Sequence, residues 1–143
     1  RKDSLLSKTW KKEMLRQAKM SWQQKQREAV KNRVPGAVLE MRIDTTHPLG
    51  FGQENKVYVL KRNKRVFELT NKVHNVGIFP ANAHIAGYLN KKNAEFFANT
   101  AAITVERLGK GKIILFADDL NFRFFWRATT GLFLNAILFG SLM

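Results

Sequence analysis

The sequence predicts an α/β domain of three layers, a sheet covered by helices, preceded by a long basic N-terminal helix. Three observations carry this. Ile113-Ile114-Leu115-Phe116-Ala117 is apolar without alternation, the pattern of a strand buried on both faces. From Phe122 onward, apolar residues recur at helical spacing and also occupy the opposite side, as in a deeply buried helix. Residues 4–33 lack Gly and Pro and are rich in Lys, Gln, Arg, Glu, Met and Ala, all strong helix formers. A strand and a helix of this kind both need cover, which packed layers supply.

The basic segment comes first. Leu6, Trp10, Met14, Ala18 and Trp22 recur every four residues and form one apolar stripe, with Asp3 or Ser4 as the cap. Val34-Pro35-Gly36 ends the helix, because Pro disfavours helix before it and Gly frees the turn. The chain therefore divides into a charged helical segment, 1–33, and a domain, 34–143. Ala37 to Ile43 reads as a strand, followed by the turn-rich Asp44 to Gly52. Val57 to Leu60 and Val66 to Leu69 read as two strands joined by a basic hairpin tip, Lys61 to Arg65. Asn75 to Pro80 is a short apolar piece, and a helix is expected from Asn90 to Ala98. Ala101 to Leu108 and Lys112 to Ala117 are strands around a tight Gly109-Lys110-Gly111 turn.

The 143 residues suffice for one packed domain, and 45% of them are hydrophobic. The absence of Cys excludes a disulfide framework, a thiolate metal site and a cysteine nucleophile. No stretch shows a signal-peptide pattern, and Phe122 to Met143 is interrupted by Arg123, Arg127 and Asn135, so no transmembrane segment is expected. The formal net charge is +14, of which residues 1–33 carry +8. Such a basic arm is either a solvated helix or a surface for an acidic partner.

Chemistry-bearing groups are few. His47, His74 and His84 do not have the close spacing of a zinc ligand pair, so turn or surface positions are expected and no metal is assigned to this chain. Gly109-Lys110-Gly111-Lys112 lies between strands, where a hairpin turn fits better than a phosphate loop. Asp118-Asp119 follows one strong strand and precedes a helix, the place where α/β sheets bind ligands. The favoured reading is structural: one Asp caps the helix and the other pairs with Arg123 or Arg127. Asp118, Asp119, Arg123, Trp126 and His47 are the candidates for a cleft or a structural role, and no catalytic residue is assigned. On the basic arm, Trp10 and Trp22 either stack on nucleic-acid bases or pack on the body. No specific nucleic-acid signature is present.

Three stretches carry a family resemblance. They are Arg33 to Asp44 running into Thr46-His47-Pro48-Leu49-Gly50-Phe51-Gly52; Asn75-Val76-Gly77-Ile78-Phe79 with Ile85 to Tyr88; and Glu106 to Asp119 followed by Asn121-Phe122-Arg123, Phe125-Trp126 and Leu132 to Ala136. Together they resemble the C-terminal region of large bacterial proteins of the zinc carboxypeptidase (carboxypeptidase A-like) family. The resemblance implies the second half only of a class I glutamine-amidotransferase-like domain, placed after a peptidase domain that holds the zinc and the catalytic glutamate. No position here matches those ligands. It further implies a non-catalytic accessory domain that packs on or positions the peptidase domain, and an exported or periplasmic parent. The expected partners are that upstream domain and, through uncovered apolar faces, a further copy of the chain. The domain is expected to be an incomplete fold, with an open strand edge and exposed apolar surface. A basic nucleic-acid-binding module is the alternative.

Overall fold

A computed structural model describes residues 2–142, with side chains from Trp10 to Leu142. The chain forms two compact units, 1–33 and 34–143. The first is two helices rather than one: α1 (Lys2–Ala18) and α2 (Trp22–Lys31). Ser21 breaks the run. Its hydroxyl accepts from the Gln24 amide while the Gln24 side chain accepts from the Ser21 amide, a reciprocal cap that starts a new helix. Arg16 then ties the pair, its guanidinium donating to Glu13 and to both carboxylate oxygens of Glu28 at 2.7 and 3.0 Å. Trp10, Met14, Leu15 and Trp22 are all exposed. The Leu6 side chain and the expected Asp3 or Ser4 cap lie outside the described side chains.

The second unit is a mixed helix-and-sheet domain built on a curled sheet in which every pairing is antiparallel. Its strands are β1 (Ala37–Ile43), β2 (Lys56–Lys61), β3 (His74–Phe79), β4 (His84–Gly87), β5 (Thr100–Leu108) and β6 (Gly111–Phe116). The order is β2-β1-β3-β5-β6. β4 pairs with the first half of β1 on the edge whose second half β3 takes. Alternation sets the inward face: Ala37, Leu39, Met41 and Ile43 are buried, and so are Val57, Val59 and Lys61 across from them. Gly77 lets two strands close on one another, since a Cβ there would stand 2.9 Å from both Ile103 and Met41 side-chain atoms.

Several expectations change. Val66 to Leu69 forms no strand, only a single bridge from Phe67 to Ala101, because the preceding Lys61 turns inward instead of leading a hairpin tip. β6 is not buried on both faces: Ile114 and Phe116 pack against the core, while Ile113 and Leu115, on the opposite face, are 39% and 41% exposed; β6 also pairs only with β5 and forms a sheet edge. β2 is the other edge. The helix expected from Phe122 starts only at Thr130. Residues 122–129 form two 3-10 turns, with Arg123 and Phe124 in the left-handed region at φ of 49° and 59°.

The helices are α3 (Lys91–Phe97), capped by Asn90, and α4 (Thr130–Phe139). Phe97 and Leu132 enter the same apolar cluster as Leu39, Met41, Val59 and Ile103. α4 is not deeply buried. Only Leu132 and Asn135 are covered, one turn apart, while Leu134, Ile137 and Leu138 are exposed. Asn135 explains the polar break in the apolar run. Its amide nitrogen donates to the Leu49 and Phe51 carbonyls at 2.9 and 2.7 Å, tying α4 to the Pro48–Gly50 3-10 turn. No helix among the described residues is long and apolar enough to cross a membrane.

Candidate functional site

The five candidates do not form one site. Asp118 is sealed, with a side-chain exposure of 3%, against a Lys61 side chain at 0%. The ammonium donates to Asp118 Oδ2 at 2.8 Å and also to the Arg65 carbonyl. Asn63 donates to Asp118 Oδ1 at 3.2 Å and to the Ala117 carbonyl at 3.3 Å. The rings of Phe79 and Phe97 complete the lysine's enclosure, 5.5 and 5.3 Å from Nζ. Burial pushes the Asp118 carboxyl up and the Lys61 ammonium down, and their mutual attraction and hydrogen bonds oppose both shifts. Pairing with Lys61, not with Arg123 or Arg127, is a correction to the expected partner. Sequence alternation held the clue, because Val57, Val59 and Lys61 share one face of β2.

Asp119 accepts from the Asn121 amide at 3.0 Å, closing a local turn and not capping α4. Arg123 lies over the Phe122 ring at 5.3 Å and Arg62 lies 4.2 Å from the same ring. Trp126 reaches back to the β2 edge, donating its indole N–H to the Tyr58 carbonyl at 2.9 Å. These contacts fold residues 120–129 onto the sheet, helped by Thr129 donating to the Leu120 carbonyl. A hollow of about 280 Å³ is lined by Arg62, Asn63, Arg65, Asp118, Asp119 and Phe122, so the Lys61–Asp118 pair closes its floor.

His47 belongs elsewhere. Its Nδ1 accepts from the Leu49 amide at 3.2 Å, capping the Pro48–Gly50 turn. Its ring lies 5.9 Å from that of His74, the first residue of β3. Together they line a cleft of about 320 Å³ with Val105, Arg107, Lys110 and Lys112. Burial holds the His47 imidazole below its ordinary value. Neighbouring His74 and Lys112 add to this, and Asp44 opposes it. The Asp44 carboxylate is itself engaged by Thr46 through its hydroxyl and amide, which hold it below the usual carboxylate range. Arg107 was not singled out from sequence, and Lys110 and Lys112 were weighed only as a phosphate loop and set aside in favour of a hairpin turn. The signal was available: Val105 and Arg107 fall on one face of β5, so a core-facing row turns from apolar to cationic at its end.

Among the described residues no three His, Cys, Asp or Glu side chains come together as a metal ligand set. Two imidazoles among three cationic side chains do not suit a metal cation either. What fold and site define is a small antiparallel-sheet domain with one sealed ion pair and one open cationic cleft. No family model, curated protein or solved structure matches the chain.

Proposed function

We propose that residues 34–143 are a non-catalytic accessory domain that packs on and positions a zinc-carboxypeptidase-like catalytic domain of the same polypeptide. The observation that carries the accessory role is uncovered apolar surface. Ile113 and Leu115 on the β6 edge, Ile137 and Leu138 on α4, and Phe124 and Phe125 before it are 39–77% exposed. Large apolar side chains gathered at an open strand edge and on a helix favour burial against another surface. The Lys61–Asp118 pair supports the non-catalytic reading, because the carboxylate is 3% exposed and both its oxygens are engaged by Lys61 and Asn63. The identity of the partner is supported by the three resembling stretches alone, as are the amidotransferase-like assignment, peptide or cell-wall substrates and an exported parent.

The chain alone should self-associate in dilute solution by light scattering. Ile137→Lys with Leu138→Lys should disperse it and abolish capture of the parent's catalytic domain. A monomeric chain that ignores that domain overturns the reading, and so does a purified chain that retains about one zinc after dialysis. A second reading, sequence-independent nucleic-acid binding by residues 1–33, is favoured by Trp10 and Trp22, 63% and 76% exposed amid lysines. Binding of DNA and RNA that fades between low and physiological salt fits that reading as a weak side activity. Tight binding that survives high salt makes it the principal function.

A further inference from the structure

The end of the sheet near the β5–β6 turn carries a second feature, independent of the apolar surface. The β5–β6 register places Ile103 opposite Phe116, Val105 opposite Ile114 and Arg107 opposite Lys112. Alternation puts all six on one face. Ile103 and Val105 are buried at 1% and 2%, whereas Arg107 and Lys112 are exposed. The core-facing row thus leaves the core as a pair of cations. Across the neighbouring pairing, His74 sits opposite Val105. The Asp44–Gly50 segment brings His47 over this end, and the turn at Gly109 (φ 60°) carries Lys110 beside it.

We propose that this cleft binds a phosphate monoester. Three permanent cations and two imidazoles converge, and no carboxylate lines the space. Of the nearby acids, Asp44 is held anionic by Thr46 and offsets part of the positive charge around His47, and Glu106 lies on the opposite face of β5. Cations clustered in excess of the nearby counter-charge repel one another, and a polyvalent oxyanion relieves that repulsion more than a monovalent carboxylate does. The Arg107 guanidinium offers a fork of donors suited to phosphate oxygens, and the lysines add point charges. His47 contributes without being protonated. Because its Nδ1 accepts from the Leu49 amide, the neutral ring carries its proton on Nε2 and remains a donor. The volume of about 320 Å³ exceeds one phosphate group, so the ester's organic part has room above Val105. No Phe, Tyr or Trp lines the cleft, so base stacking could come only from the two imidazoles, and an oligothymidylate titration separates a nucleic-acid groove from a phosphate-monoester site.

The three histidines make a built-in test. Two line the cleft, and the third, His84, lies on β4 with its ring against the Gly87 carbonyl at 2.9 Å. The full chain is titrated at constant ionic strength with glucose 6-phosphate, inorganic phosphate, acetate and a short oligothymidylate, while the imidazole resonances are followed by NMR. Glucose 6-phosphate should move His47 and His74 together and saturably, leave His84 in place, and bind more tightly than inorganic phosphate. Acetate should produce no saturable shift. Arg107→Gln with Lys112→Gln, both surface changes, should weaken binding roughly tenfold or more, and Lys56→Gln with Lys92→Gln should leave it within about twofold. The proposal is overturned if all three histidines drift together, if acetate matches phosphate, if inorganic phosphate binds as tightly as the ester, if the oligonucleotide binds this cleft more tightly, or if the Arg107/Lys112 variant binds unchanged.

Discussion

Two charged regions of the same domain solve opposite problems. At the β2 end, Lys61 is drawn wholly inside and meets one carboxylate, an asparagine, a carbonyl and two phenyl rings. Its charge is matched and closed off. Near the β5–β6 turn, three cations and two histidines gather with no lining carboxylate, and the space between them stays open to water. Desolvating a charge costs several kcal/mol unless partners surround it, so the closed cluster is stable only while complete. The open cluster keeps its charges hydrated and avoids that cost. It retains the mutual repulsion that an incoming anion would relieve. A buried charge here belongs to the fold, and unmatched surface charge is what remains for recognition.

The largest effect that sharpens this contrast is at the closed cluster. Lys61→Met should cost about 3–5 kcal/mol, because Asp118 is left buried and unpaired. Adding Asp118→Leu should restore much of the loss. Urea denaturation of both variants measures this, and equal losses in the single and double variants would show that the two groups are not coupled. The cleft should respond to pH instead. The His47 pKa is lowered on folding, so the unfolded chain binds the proton first as pH falls through about 6.5. Stability due to this group is complete above that value and is lost as pH drops towards the folded pKa. His47→Asn should flatten that slope, since Asn supplies a cap acceptor without titrating. Denaturation midpoints at mildly acidic and neutral pH test it, and an unchanged slope would remove His47 as the cause. The smallest effect is the loss of Arg107 and Lys112 together, expected to shift stability by less than about 0.5 kcal/mol. A large loss in the same denaturation assay would mean that these cations are structural after all and would erase the contrast.

Local pattern made much of the domain legible. β1, β5, β6 and the turn between the last two follow from β-rich runs bounded by glycine and proline, and α3 follows from its Asn90 cap and apolar spacing. The break at Ser21 was equally local, a Ser with Gln three residues on, although helix propensity across residues 4–33 masked it. Burial was less legible. Ile113-Ile114-Leu115 looks the same in a central strand and in an edge strand, because apolar composition does not say which neighbours arrive. The same holds for α4, apolar nearly all round and covered along one stripe.

The sequence by itself determined the elements that depend on near neighbours: caps, turns, strand alternation and the uneven distribution of charge. Only the tertiary structure decided which charges meet. Lys61 and Asp118 are 57 positions apart, and His47 reaches Lys112 across a longer stretch of chain. Propensity and periodicity act over a few residues, whereas desolvation and Coulomb energies depend on distances that only the folded sheet sets. For that reason the aspartate that looked most like a ligand residue became the partner of a buried lysine. The cleft formed instead around His47, a candidate, from His74, a basic hairpin turn and an arginine that looked, one by one, like ordinary surface.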